Sequence, residues 1–122
     1  MELVLIRHGQ PEWVRDGLNV VDPPLTDLGR RQAAALAGVM TALELDELLV
    51  SPLLRARQTA APILEALGRP EDIDMWLEEI RDPKWHGTPA ERAAEAYREL
   101  NSRAPADRAR ARCWDGSISA SR

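Results

Sequence analysis

The feature that most constrains this chain is its opening run, Leu3-Val4-Leu5-Ile6, which halts at Arg7-His8-Gly9. Four apolar residues without a polar break, ended by a turn signal, predict a strand buried on both faces of a parallel sheet. In open α/β sheets, ligands bind beyond the carboxyl ends of such strands, which is where Arg7, His8 and Gly9 fall. Each residue type suits an anionic ligand. Histidine can act as a nucleophile, arginine offers a rigid fork of donors, and glycine lets the backbone approach closely. On the tripeptide alone, the plainer reading is that Arg7 caps the strand and His8 is an ordinary loop residue.

Helix and strand signals then alternate. Pro23-Pro24 predicts that residues 10–25 form an irregular loop running over the site. Thr26 reads as a helix cap, with Asp27 favourably placed in the first turn. The helix it starts runs to about Leu43, with Leu28, Gln32, Ala35, Leu36, Val39, Met40 and Leu43 on one face. Arg30 and Arg31 lie mostly off that face, towards solvent. Residues 47–50 predict a second strand, and strand, helix, strand implies a right-handed crossover and a parallel pair.

Ser51 reads as the next cap, with Pro52 at the first helical position. Pro62 should kink or end that helix early, and Gly68 closes the segment. Arg55 falls in the first turn, where a helix terminus already attracts anions. Arg57, two residues on, is expected to be a surface or salt-bridge residue. Residues 73–77 predict a third strand before Glu78-Glu79, and Thr88-Pro89-Ala90-Glu91 is a capping box. The helix beyond it should turn Ala93, Ala94, Tyr97 and Leu100 inward.

A chain of 122 residues holds one domain at most. The net charge of −4 gives no reason to expect nucleic-acid binding, but it is unevenly spread. Residues 103–122 carry five arginines and two aspartates, a net of +3, leaving −7 for residues 1–102. That divides the chain into a domain over 1–102 and a basic, poorly ordered tail over 103–122. The tail has little aromatic interleaving and reads as solvated rather than nucleic-acid-binding. The single cysteine, Cys113, excludes an internal disulfide framework and suits a reducing cytoplasm. No apolar run approaches membrane-spanning length, and no ligand cluster has metal spacing.

Three segments, Leu5-Ile6-Arg7-His8-Gly9, Leu25-Thr26-Asp27-Leu28-Gly29-Arg30-Arg31-Gln32-Ala33 and Ser51-Pro52-Leu53-Leu54-Arg55-Ala56-Arg57-Gln58-Thr59-Ala60, together resemble the histidine phosphatase superfamily, the phosphoglycerate-mutase-like group. The resemblance implies an α/β/α sandwich with a mostly parallel central sheet. It also implies a small phosphorylated substrate, a phosphohistidine intermediate, and neither cofactor nor metal. In that reading His8 accepts the phosphoryl group, while Arg7 and Arg55 hold it. Glu79 protonates the leaving oxygen, with Glu78 in that role if the register shifts by one. Without the resemblance, both are as readily solvated glutamates flanking a strand end. Phosphomonoester hydrolysis is the expected reaction, since mutases need insertions and the loops here are short. A non-catalytic phosphate-binding module and a mutase-type phosphotransferase are the alternatives.

Departures from the family pattern sharpen the expectation. Pro11 and Val14 stand where the family often has threonine or serine and asparagine, leaving Asn19 as a candidate substitute for the asparagine. His86 stands where glutamate is usual and reads as a solvated loop residue. The family's second histidine has no counterpart, because the chain has only His8 and His86. An amino-terminal portion or a shortened member is therefore expected, with impaired turnover. It would also leave an unpaired sheet edge that invites dimerisation.

Overall fold

Thr26 starts the first helix as predicted. Its backbone is extended, and its Oγ1 accepts the Gly29 N–H at 3.0 Å, opening α1 (Asp27–Met40). The computed structural model describes residues 1–79 and 83–103. Within them, α1 packs against α2 (Leu54–Leu67), and α3 (Ala90–Arg103) closes the described chain.

The face α1 buries is not the predicted one. Gly29, Ala33, Ala37 and Met40 are buried, whereas Leu28, Ala35, Val39 and Leu43 are exposed. Small side chains about one helical turn apart let the helix backbone come close to its neighbours, which a leucine stripe would prevent. Leu36 and Met40 are the only apolar members of the predicted stripe that turn inward.

Helix α2 begins at Leu54 rather than at Pro52. Ser51 Oγ accepts only the Leu53 N–H, at 3.4 Å, while the Leu54 N–H donates to Asp22 Oδ1 at 2.9 Å. The helix is thus capped from across the molecule. Pro62 neither ends nor shortens it. The proline removes one backbone donor, but Ile63 and Leu64 beside it are both buried and hold the helix together. Gly68 terminates it with φ +62°, its N–H donating to Glu65 O at 3.2 Å, as expected of a left-handed cap.

The core lies along this helix pair. Ala37, Met40 and Ile63 form one cluster and Val50, Ala60 and Leu64 another, with Leu48 packed against both. Fully burying a side chain such as Ile63 stabilises by about 1.5–3 kcal/mol.

The strands differ most from expectation. Residues 2–6 join no ladder among the described residues, and Leu3 and Leu5 are 74% and 82% exposed. A strand must exchange hydrogen bonds with a neighbour, so apolar composition alone cannot form one. The second and third predicted strands reduce to one parallel bridge, Val50 to Ile73. There the Val50 N–H donates to Asp72 O and the Asp74 N–H to Val50 O, both at 2.9 Å. Asp74 Oδ1 then accepts the Trp76 N–H at 2.9 Å and winds Met75–Leu77 into a 3-10 turn.

Residues 10–25 are not irregular throughout. They contain a hairpin, β1 (Val14–Arg15) and β2 (Leu18–Asn19), pairing Val14 with Asn19 and Arg15 with Leu18. Asp16 and Gly17 turn it with φ +51° and +75°, the double positive φ that a two-residue hairpin loop requires. Leu18 bridges Pro89, and the Ala90 N–H donates to Gly17 O at 2.9 Å, so the hairpin rests on the start of α3. Thr88 does not work as the predicted capping box. Its hydroxyl donates to Trp85 O at 2.7 Å and accepts Asn19 Nδ2 at 3.1 Å. On α3, Ala93 is half-buried and Ala94 exposed; the Tyr97 and Leu100 side chains and residues 104–122 lie outside the described residues. The architecture is mixed α/β with a small sheet.

Candidate active site

Gly9 is the point where the opening run meets the helices. Its N–H donates to Thr59 Oγ1 at 2.9 Å, and that hydroxyl donates to Arg55 O at 2.7 Å, both buried. A Cβ on Gly9 would lie 2.5 Å from Gly29 O, and one on Gly29 would overlap the Gln10 carbonyl. Only glycine at both positions allows this crossing. Gln10 is pinned in turn, its N–H donating to Gln32 Oε1 at 2.8 Å and its carbonyl accepting the Thr26 N–H at 2.9 Å. Gln32, the polar break in the predicted stripe of α1, is there for that bond.

This pinning fixes His8. Its Nδ1 lies 2.8 Å from Gly9 O. A carbonyl only accepts, so Nδ1 carries the proton and Nε2 of the neutral ring keeps its lone pair. The half-buried ring stands edge-on to Trp13, with centroids 6.3 Å apart and planes at 74°. Arg55 Cζ lies 4.8 Å from the centroid of the same indole. One tryptophan therefore joins the imidazole to the guanidinium.

Arg55 is 1% exposed, and its Nη2 donates to Glu79 Oε2 at 2.5 Å. Asp22 Oδ1 lies 3.9 Å from Nη1, beyond hydrogen-bonding distance, and neither Nε nor Nη1 has a hydrogen-bond partner. Buried donors left unmade cost about 1–3 kcal/mol each, and more when charged. An anion with several acceptor oxygens would relieve that cost.

Of the predicted site residues, His8, Arg55 and Glu79 are thus linked through Trp13 and the Arg55–Glu79 contact. Glu79 rather than Glu78 reaches Arg55, and its side chain is mostly exposed. Arg7 is exposed immediately before His8. The side chain of Asn19, the candidate substitute asparagine, is engaged at the hairpin. Its Nδ2 donates to Thr88 O, Thr88 Oγ1 and Pro89 O, which fastens the hairpin to the 88–89 turn. His86 is exposed, as expected, and its Nδ1 accepts the Val21 N–H at 3.5 Å. Arg57 forms the predicted ion pair, donating from Nε and Nη2 to Glu71 at 2.9 Å. Those hydrogen bonds hold the Glu71 carboxyl below its ordinary 4.5. Among the described residues, no group of three His, Cys, Asp or Glu could hold a metal, and no helix is long and apolar enough to cross a membrane.

Trp13, Asp22 and Thr59 are the members that sequence reasoning missed. Thr59 stands four residues after Arg55 on the same helical face, a legible spacing. Trp13 and Asp22 carried no comparable signal.

The family model described as histidine phosphatase superfamily (branch 1) matches residues 3–119. The chain belongs to that superfamily. Phosphoserine phosphatase 1 of Hydrogenobacter thermophilus is 34% identical over 101 residues, 81% of this chain and 48% of that protein. The 2,3-bisphosphoglycerate-dependent phosphoglycerate mutase of a Methylobacterium species is 44% identical over 73 residues, 57% of this chain and 35% of that one. Among solved structures, a mycobacterial glucosyl-3-phosphoglycerate phosphatase in complex with inorganic phosphate superposes with a TM-score of 0.60. That structure is 27% identical, with 79% of this chain and 45% of that chain covered. The chain spans between 35% and 50% of the length of these relatives, which are both phosphatases and phosphoglycerate mutases.

Proposed function

We propose that this chain hydrolyses small phosphomonoesters through a phosphorylated His8. The observation that carries the reading is Arg55: a buried guanidinium with two undonated nitrogens, sharing one indole with an imidazole whose Nδ1 is bonded to Gly9 O. A phosphoryl group in transit spreads negative charge over its oxygens and needs positive, positioned donors more than covalent assistance. Arg55 supplies such donors, and Arg7 adds a second cation beside the nucleophile. His8 Nε2 attacks phosphorus, the ester P–O bond breaks, and Glu79, which takes up a proton once the substrate dianion replaces it on Arg55, gives that proton to the leaving oxygen. Water then attacks the phosphohistidine, returning a proton to Glu79 and releasing inorganic phosphate.

Phosphoserine and phosphoglycerate esters, the substrates named in the relatives, define the class of substrate to try first. Hydrolysis is favoured over mutase transfer because the loops around His8 are short. Turnover is reduced by about a hundred- to a thousand-fold relative to a site with one more preorganised donor. The same reading carries an α/β/α sandwich over residues 1–102 with a mostly parallel central sheet, to which the Val50–Ile73 bridge contributes one pairing. On this reading the protein works in the cytoplasm, and two copies pair through an unpaired sheet edge.

A second reading, a phosphate-binding module without turnover, is favoured by one observation. The second histidine of the chain, His86, is engaged with Val21 and not with the His8 cluster. Acid-labile phosphate incorporation from an aryl phosphate separates the two. Hydrolysis through His8 predicts labelled wild type and unlabelled His8→Ala. Phosphate binding without any label supports the second reading, and equal labelling of both proteins would overturn the first.

A further inference from the structure

We propose that Trp13 is the positioning residue of the anion site: its indole sets the plane of the Arg55 guanidinium and thereby the affinity for phosphate. The inference rests on the phosphohydrolase reading and deepens it. A guanidinium is normally aligned by carboxylates, but that uses up the donors a substrate needs. Here Nη2 donates to the exposed carboxylate of Glu79, Asp22 faces Nη1 only at ion-pair distance, 3.9 Å, and Nε and Nη1 have no hydrogen-bond partner. The indole face, 4.8 Å from Cζ, holds the plane without consuming a donor or cancelling the charge.

Trp13 is itself held. Its carbonyl accepts the Val20 N–H at 2.8 Å across the hairpin, and the hairpin is anchored by Asn19 on Thr88 and Pro89. The turn at Asp16-Gly17 and the start of α3 therefore bear on Arg55 through a single side chain.

The test titrates the 122-residue protein with inorganic phosphate and with orthovanadate by calorimetry. Trp13→Leu keeps an apolar side chain and removes the aromatic face, and it should weaken both anions about tenfold. Trp13→Phe should weaken both by a smaller factor, about two- to threefold. In an Arg55→Met background, Trp13→Leu should cause no further loss, because the indole acts through the guanidinium. If Trp13→Leu melts early, the Trp, Tyr, Phe series replaces it, with affinity expected to fall in that order. Equal affinity across that series, wild-type affinity in Trp13→Leu, or losses that add in the double variant would each overturn the inference while leaving the phosphohydrolase reading in place. Wild-type protein that binds neither anion would remove that reading, and this inference with it.

Discussion

Helices α1 and α2 close a core around Ile63, whereas the four apolar residues that lead into His8 stand open to solvent. The difference lies in where each region finds its hydrogen bonds. A helix satisfies its backbone internally and needs a partner only for its apolar face, which each of these two helices provides for the other. An extended run needs a ladder partner before burial can begin, and residues 2–6 have none among the described residues. His8 sits at the junction of the two regions. Its backbone is held from the helical side, through Gly9, Thr59 and the Gly9–Gly29 crossing.

That contrast can be broken from the helical side. Ile63→Ala should cost about 2–5 kcal/mol of unfolding free energy in a denaturant titration, because it leaves a cavity where a buried side chain joins the two helices. A loss under ~1 kcal/mol would mean that the helical core is not the stabilising region. Thr59→Val should cost less, about 1–3 kcal/mol, by stranding the buried Gly9 N–H. It should also lower the labelling of His8, which Ile63→Ala in the folded state should leave largely unchanged. Coupled loss of stability and labelling is the signature of a pin between the two regions.

A smaller effect sharpens the comparison at the rim of α2. Arg57 keeps the folded Glu71 carboxyl below its ordinary 4.5, so as pH falls the unfolded chain takes up the proton first. The stabilisation is complete above the unfolded value and is lost as pH falls through the folded one. Wild type should therefore exceed Glu71→Gln in melting temperature near neutral pH, by a small margin because the pair is solvent-exposed. The two curves should converge below about pH 4.5, and a margin that grows on acidification would contradict the ion pair. The smallest expected change is at Leu5. Leu5→Ser should alter stability by less than ~0.5 kcal/mol in dilute protein. A loss that grows with protein concentration would assign the pairing of two copies to residues 2–6.

Sequence legibility followed the same divide. The cap at Thr26, the stop at Gly68 and the Arg57 ion pair were readable because each depends on residues within a few positions or on an exposed charge. The family motifs carried His8, Arg55 and Glu79, three residues the folded chain links through Trp13 and one ion pair. The face of α1 was misread because hydrophobicity favours Leu28 and Val39, while close approach favours Gly29, Ala33 and Ala37. The hairpin was overlooked although Asp16-Gly17 is a strong turn signal, because Pro23-Pro24 dominated the reading of that segment. Asp22 capping α2 from 32 residues away left no local trace.

The central claim is that His8 and Arg55 serve one anion. Nitrogen-15 NMR of the His8 ring and the Arg55 Nε–H during a titration with inorganic phosphate tests it most directly. A proton on Nδ1, an unprotonated Nε2 in the free protein, and both residues shifting along a single binding curve are the predicted result. Arg55 shifting while His8 stays fixed, or two curves with separate midpoints, would contradict it.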